Sequence, residues 1–339
     1  MVLKQHKSFH SAYHITAADA VSPLHGGTRR SLQLCAMAES QNRRVVRTIS
    51  GRRVNSILSL IRSPRSVCKT FRLISKLGMS RFSAKGIYAA FIHGVWLCDL
   101  LRTSKHDELW IEISAGKCLI LGALLSAMDA KYVAFPHNVE FLVPSQNQVF
   151  LRNVADAFGI ERQIYLKAAK VCTISAFDCA VIRSLGAPDV EVLHYQPVDA
   201  ILCNLLEIKR RRAKTTKKGI LIIGTVGNSP TRKGIECLIE QIRASQCIAK
   251  QFTLVGFGTE MFQKNAPENL EVLGAVPDEA MCSLMATCEA LLIRHPQSSG
   301  MMTRLIEAEI AEIPVLFLGD YLQASEKRFK MVSQIQSLD

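Results

Sequence analysis

No Cys-x-x-Cys pair occurs in this sequence, although it holds 11 cysteines. An odd count without paired spacing argues against a disulfide framework and against a zinc site of the usual ligand spacing. The thiols read as free and mostly buried, as in a reducing compartment. Aromatic residues make up only 6% of the chain. No helix-turn-helix, RNP or zinc-knuckle pattern accompanies its bases, so nucleic acid is not an expected partner. Long apolar runs are also missing. Cys118–Met128 is too short to cross a bilayer, and Gly86–Leu101 is interrupted by His93 and Asp99. The first twenty residues lack an apolar stretch of the secretory kind. The expectation is a cytoplasmic protein. The last absence is of acid: none stands between Glu39 and Asp99, while 12 bases fall from Arg43 to Lys85. Residues 1–110, with 18 bases against 5 acids, account for the whole formal net charge of +13, and the excess is densest in this stretch, which points to a single anionic partner surface.

What is present suits two packed domains. The chain has 339 residues, 48% of them apolar, ample for two cores. In the second half, apolar strands at Gly219–Val226, Phe252–Phe257, Leu270–Val276, Ala290–Arg294 and Val315–Leu318 alternate with helical patterns near Lys233–Ala244, Asp278–Cys288 and Thr303–Glu312. Strands of near-continuous apolar residues, each followed by a helix, indicate a parallel sheet covered on both faces. Pro314 stops the last helix before the next strand. The first half repeats the alternation less regularly, with strand candidates at Tyr13–Thr16, Val45–Thr48, Leu109–Ile113, Tyr132–Phe135, Val171–Ile174 and Val190–Leu193. Ser175 and Asp178 have the spacing of a helix cap. The Lys- and Arg-rich stretch 207–218 reads as a solvated linker. The expected plan is therefore α/β over 1–206, a basic linker over 207–218, and α/β over 219–339. Ligands of such sheets bind at the carboxyl ends of strands, here in a cleft between two facing sheets.

Four segments hold residues able to do chemistry. Gly26 and Gly27, in His25–Arg30, lie between a strand and a helix, where paired glycines let backbone approach a phosphate; such a pair is also an ordinary turn. His137, in Pro136-His137-Asn138-Val139-Glu140, ends a strand; the alternative is a proline-initiated turn capped by Asn138 and Glu140. Gly224–Gly234 is a glycine-rich loop with Arg232 and Lys233 at the start of a helix, two cations able to grip a diphosphate or simply to be solvated. Gln297–Ala308 places Ser299 and Gly300 before a helix carrying Arg304 and Glu307. Glu307 lies among Leu305, Ile306 and Ala308, which suits a ligand-facing or paired acid. An Arg304–Glu307 pair at i, i+3 is the alternative.

Taken in order, these segments resemble the family 4 retaining glycosyltransferases, which have the GT-B fold. His137-Asn138-Val139-Glu140 is similar to that family's strand-end HNVE, and Val171–Gly186 to its V…S…D…L…G segment. Lys233-Gly234, Val255-Gly256-Phe257-Gly258, Gly274-Ala275-Val276 and Arg304-x-x-Glu307-Ala308 with Pro314-Val315 are similar to its donor-domain motifs. The resemblance implies two Rossmann-like domains facing each other across a cleft, with transfer from a nucleoside-diphosphate sugar to a glycan or lipid-linked acceptor in polysaccharide or cell-envelope biosynthesis. It implies that Glu307 binds the donor ribose, that Lys233 and Arg232 bind the diphosphate, that Gly26 and Gly27 let it approach, and that His137 lies near the donor sugar. Backbone amides around Ser299 and Gly300, beside Arg304, suit anion or sugar contacts. No Asp-x-Asp pair occurs, so neither a metal nor a cofactor beyond the nucleotide-sugar is expected. Two positions depart from the family pattern: Ser299 stands where a first glutamate is usual, and Thr225 where an arginine is common.

Residues 43–85 carry the basic excess. Within them Ile57, Leu60, Ile61, Val67, Phe71, Ile74 and Leu77 form an apolar pattern interleaved with Arg62, Arg65, Lys69, Arg72 and Lys76, suited to an anionic membrane surface. A core-facing helix with a solvated basic face would give the same pattern. Two other functions fit such a chain: a catalytically inactive GT-B binding module, suggested by Ser299, and a sugar-nucleotide 2-epimerase.

Overall fold

The computed structural model describes residues 13–16, 26–47, 63–103, 108–143, 150–245, 250–295, 299–318, 329–335 and 337–338. They fall into two compact units. The first holds residues 13–16 and Ser31–His194, and the second holds residues 26–30 and everything described from Tyr195 on.

The first unit contains β1 (Tyr13–Thr16), α1 (Gly26–Ser40, whose first turn groups with the second unit), β2 (Arg44–Arg47), α2 (Pro64–Leu77), α3 (Ala84–Thr103), β3 (Leu109–Ile113), α4 (Lys117–Ala127), β4 (Tyr132–Pro136), α5 (Val154–Lys167), β5 (Lys170–Thr173), α6 (Ala176–Ser184) and β6 (Val190–Val192). Its six strands are all parallel, in the order β2-β1-β3-β4-β5-β6. Every residue of β1, β3 and β4 is buried, as a parallel sheet with both faces covered requires. α4 is buried on all sides from Cys118 to Ala127 and packs against α2, α3, α5 and β3. A helix apolar all round is a core helix in such a setting. α3 is, by length and composition, apolar enough to cross a membrane; here it packs against α2 and α4. The Ser175 side chain accepts from Asp178 N at 3.1 Å and caps α6, as its spacing predicts.

The second unit contains α7 (Asp199–Arg212), β7 (Ile220–Ile223), α8 (Ser229–Ala244), β8 (Phe252–Val255), β9 (Leu270–Gly274), α9 (Asp278–Thr287), β10 (Ala290–Ile293), α10 (Thr303–Ile310), β11 (Val315–Leu318) and β12 (Val332–Ile335). These six strands are parallel too, ordered β12-β11-β10-β7-β8-β9. Each sheet reverses its winding once, between β1 and β3 in the first and between β7 and β10 in the second. At such a switch point the adjoining connections leave to opposite faces and open a crevice at the carboxyl ends of the strands.

The structure corrects the expected linker. Residues 207–212 are the last turns of α7, which buries Ile201, Leu205 and Ile208 against α9 and α10. Arg212 ends it, buried, with Nη1 donating to the carbonyls of Met285 and Cys288, each at 2.8 Å, and Nε to Glu312 O at 3.1 Å. The run of bases conceals an i, i+4, i+7 apolar stripe, and the break between the units falls before Tyr195. A second correction concerns Gly26 and Gly27: both lie inside the first turn of α1. A third concerns α2. Its buried face is Ser66, Thr70, Leu73, Ile74 and Leu77, whereas Phe71 is 54% exposed. Ile57, Leu60, Ile61 and Arg62 lie outside the described residues.

Candidate functional site

Three segments of the second unit meet at the carboxyl ends of β7 and β10. The first is the loop after β7. A side chain at Gly224 would press on Thr231 and Ile235, so glycine lets α8 start close against the strand. Asn228 caps α8 by accepting from Thr231 N at 3.2 Å, with Pro230 in the first turn. The second is Gly234, which lies against the backbone carbonyl of Arg294 just after β10; any Cβ there would collide with that oxygen. The N-terminus of α8, with its unsatisfied N–H groups, is thus held at the switch point, a setting that favours anions. Val226, Gly227, Ser229, Arg232, Lys233 and Glu236 line a depression there. Arg232 Nε bonds Glu236 at 2.8 Å on the exposed side of α8. Lys233 is exposed and makes no ion pair among the described residues.

The third segment is α10. Arg304 is half-buried and donates from Nη1 to the carbonyl of Ile223, the last residue of β7. Burial pushes its guanidinium down from its ordinary value. Glu307, one turn later, is 8% exposed. It accepts from the Tyr195 hydroxyl at 2.9 Å and lies 3.4 Å from Arg29 Nε. Burial, then the adjacent Glu307 carboxylate, raise the Tyr195 phenol above its usual range. Glu307 therefore has Tyr195 and Arg29 as close partners, while Arg304 is used on the strand backbone. Before α10, Ser299 is buried and Gly300 has φ +89°, a left-handed conformation that glycine adopts most readily. His25, Gln297 and Ser298 lie outside the described residues.

The first unit has its own polar cluster at its switch point. Glu112, the fourth residue of β3, is fully buried between Ile111 and Ile113. Its carboxylate accepts from His14 Nε2 on β1 at 2.8 Å, from His137 Nε2 just after β4 at 3.0 Å, and from Ser31 Oγ on α1. Burial alone would raise this carboxyl, but hydrogen bonds from His137 and His14 outweigh it and hold it below the usual carboxylate range. His14 sits edge-on to Trp110 and Phe135, at 6.2 and 6.3 Å between ring centres. His14, Cys35 and Glu112 each offer one metal-ligand atom, all within 4.8 Å of one another. Both Glu112 oxygens are, however, already engaged by N–H and O–H donors.

The rest of the His137–Glu140 motif is a turn. His137 N donates to Ile113 O at 2.9 Å. Glu140 is buried, and the backbone N–H groups of Glu140 and Phe141 donate to the Glu161 carboxylate at 2.9 and 2.6 Å. Tyr165 donates to the same carboxylate at 2.6 Å.

The sequence matches no family model and no curated protein. Among the solved structures it is similar to, three are matched over most of their lengths. The sucrose-phosphate synthase of Thermosynechococcus elongatus superposes with a TM-score of 0.62 at 12% identity, covering 97% of this chain and 86% of that one. WaaG, a glycosyltransferase involved in lipopolysaccharide biosynthesis, gives 0.58 at 13% identity over 96% and 85%. Anabaena HepE in complex with UDP-glucose gives 0.56 at 14% identity over 91% and 80%.

The fold is GT-B.

Within this GT-B chain the residues singled out from sequence divide between two sites. Arg232, Lys233, Ser299, Gly300, Arg304 and Glu307 belong to the second unit, where Arg304 and the Gly224 and Gly234 contacts tie α10 and α8 to the ends of β7 and β10. Gly26 and Gly27 open the helix that supplies Arg29 to Glu307. His137 belongs to the first unit's cluster. Glu112, His14, Tyr195 and Arg29 carry no role in the sequence reading. Glu112 had a signal, an acid inside the otherwise apolar Leu-Trp-Ile-Glu-Ile strand. Tyr195 and Arg29 had none beyond being polar groups near turns.

Proposed function

We propose that this chain is a retaining glycosyltransferase that moves a sugar from a nucleoside-diphosphate sugar to a glycan or lipid-linked acceptor in polysaccharide or cell-envelope biosynthesis. The reading takes the first unit as the acceptor side and the second as the donor side. The observation that carries it is the convergence at one switch point of a glycine-rich loop, the N-terminus of α8 with Arg232 and Lys233, and α10, which Arg304 ties to the end of β7 and which carries the buried Glu307 one turn on.

A leaving nucleoside diphosphate gathers negative charge as the sugar departs. Groups fixed in advance where that charge grows lower the barrier more than groups that bind donor and transition state alike. Lys233 and the N–H groups of α8 are so placed for the diphosphate, with Arg232 available once it leaves Glu236. Glu307, oriented by Tyr195, suits the two hydroxyls of a ribose. Ser299 and Gly300 offer backbone to the sugar or phosphate, and the family resemblance assigns His137 a place near the donor sugar. Beyond the nucleotide-sugar no cofactor or metal enters this scheme.

The same proposal puts the chain in the cytoplasm and on the inner face of a membrane. Arg65, Lys69, Phe71 and Arg72 are exposed on α2, and Tyr88, 60% exposed, stands on α3. Bases around an outward aromatic ring suit an anionic interface. Two of the bases in 43–85 are used otherwise. Arg43 lies 4.2 Å over the Trp110 ring and bonds Glu108, and Lys76 bonds Asp129 at 3.1 Å.

A thermal-shift screen of UDP-, ADP- and GDP-sugars tests the reading. A ligand at a hundred times its dissociation constant adds roughly 2.7 kcal/mol of stability, so one donor class should raise the melting temperature clearly. If neither a nucleotide-sugar nor a free nucleoside diphosphate moves it, the glycosyltransferase reading fails.

A further inference from the structure

A buried strand position flanked by isoleucines is filled at least cost by another apolar residue, and an ion there has to be satisfied by hydrogen bonds. Glu112 meets that condition through three donors from three separate elements. An ionised carboxylate only accepts. Each imidazole facing it must therefore present an N–H at Nε2, and Nδ1 is the nitrogen left over on each ring. On His14 that nitrogen is buried and has no hydrogen-bond partner. A bare lone pair at that nitrogen leaves an acceptor unmet, whereas an N–H there would be a buried donor with no acceptor in reach. On His137 the situation differs. Its ring makes no hydrogen bond other than that to Glu112 among the described residues, and its Nδ1 is not among the buried polar atoms without partners.

We propose that Glu112 is a positioning residue: helped by His14 and Ser31, it fixes His137 in the Nε2–H form and leaves His137 Nδ1 as an acceptor for a hydroxyl of the sugar substrate. The sugar hydroxyl rests on the glycosyltransferase reading; the fixed tautomer rests on the cluster alone. His14 completes the arrangement by occupying the other carboxylate oxygen and, wedged against Trp110 and Phe135, keeps Glu112 from turning away. The Ile113 carbonyl holds the backbone of His137 at the end of β4. A ring so held offers a lone pair in one direction and needs no rearrangement when a hydroxyl arrives. The known effect of a misplaced tautomer in other enzymes, loss of turnover with geometry intact, is the behaviour expected if the lock is removed.

The test is long-range proton–nitrogen correlation of histidine-labelled full-length protein at pH 8, with the His137 signals assigned by loss in His137→Gln. Wild type should show Nε2 protonated and Nδ1 bare for His137. In the double variant His14→Phe with Glu112→Leu, Phe keeps the aromatic packing, the fully buried His14 imidazole is not left facing a missing acceptor, and His137 is the one imidazole that loses its carboxylate partner. His137 should then show a mixture of tautomers. With the nucleotide-sugar that stabilises the wild type in the donor screen, kcat should fall about tenfold or more, as for loss of one hydrogen bond to a charged group, with the donor KM within about threefold. The wild-type spectrum alone decides the lock: a His137 protonated at Nδ1 overturns it whether or not the double variant folds. Unchanged kcat in a folded double variant that has lost the tautomer overturns the hydroxyl contact. A chain that shows the expected tautomer yet binds no nucleotide-sugar overturns the glycosyltransferase reading instead, so the two failures are distinct.

Discussion

Tyr195 donates its hydroxyl hydrogen to Glu307 across 112 positions of sequence, at 2.9 Å and largely buried. The same carboxylate oxygen lies 3.4 Å from Arg29 Nε. Glu307→Ala should lower donor affinity about tenfold or more, the scale of a lost hydrogen bond to a charged group. Tyr195→Phe, which removes only the orienting hydroxyl, should weaken it less. Calorimetric titration of both variants checks the order, and equal donor binding in wild type and Glu307→Ala refutes the assignment.

Lys233 projects from the start of α8 without an ion-pair partner among the described residues. If it steadies a departing diphosphate, Lys233→Ala should slow transfer on the order of 10²–10³-fold, as removal of one oxyanion donor does elsewhere. Steady-state rates within threefold of wild type would show a solvated helix-start cation.

Arg212 joins α7 to four backbone carbonyls, those of Met285, Ala286, Cys288 and Glu312. Arg212→Ala strips those acceptors of a charged donor inside the protein and should destabilise by about 2–4 kcal/mol. Arg212→Lys should recover only part of that, since an ammonium lacks the planar fork. Urea unfolding of the two variants measures both effects.

Burial pushes the Glu161 carboxyl up to about 7, against hydrogen bonds from Tyr165 and from the backbone of Glu140 and Phe141, with nearby Asp178 adding to the rise. A folded value above the unfolded one means that the folded state holds the proton more tightly. Its stabilising contribution is complete below the ordinary glutamate value of 4.5 and is lost as pH rises through about 7. Wild type should therefore lose stability relative to Glu161→Gln between pH 5 and pH 8. Parallel denaturation midpoints for the two proteins over that range would contradict it.

The exposed face of α2 predicts salt-sensitive attachment to lipid. Each base near an anionic bilayer contributes about 1 kcal/mol, weakened by salt. Arg65→Ala, Lys69→Ala and Arg72→Ala together should abolish co-sedimentation with phosphatidylserine vesicles at low salt, and Phe71→Ser should reduce it. Lys76→Ala should change little, because Lys76 is bound to Asp129. A wild type that ignores such vesicles ends the membrane proposal.

Strand–helix alternation made both sheets legible, because a buried parallel strand needs a short unbroken apolar run and leaves a plain trace. The strand-end motifs were legible for the same reason, since their glycines are set by local backbone contacts. α7 was not, because a dense run of Lys and Arg outweighed the spacing of Ile201, Leu205 and Ile208. β12 was missed because its Val-Ser-Gln-Ile residues are only partly covered at the sheet edge. Gly26 and Gly27 suggested a loop because glycine weakens helices, yet a first helical turn tolerates them. The Glu112 cluster could not be assembled from spacing at all. Its partners stand 98, 81 and 25 positions away, and only the order of strands in the sheet brings them to one carboxylate.

The grouping of the first turn of α1 with the second unit bears on how the protein can be cut. The second unit is discontinuous in the gene. A fragment begun at Tyr195 would retain the phenol and Glu307 but would lack Arg29, leaving a nearly buried carboxylate without its cation. Such a fragment should bind nucleotide differently from the intact chain, and grafting the 26–30 segment back in trans is the natural complementation. Any chimera that exchanges second units between chains of this fold has to carry that short N-terminal stretch with it.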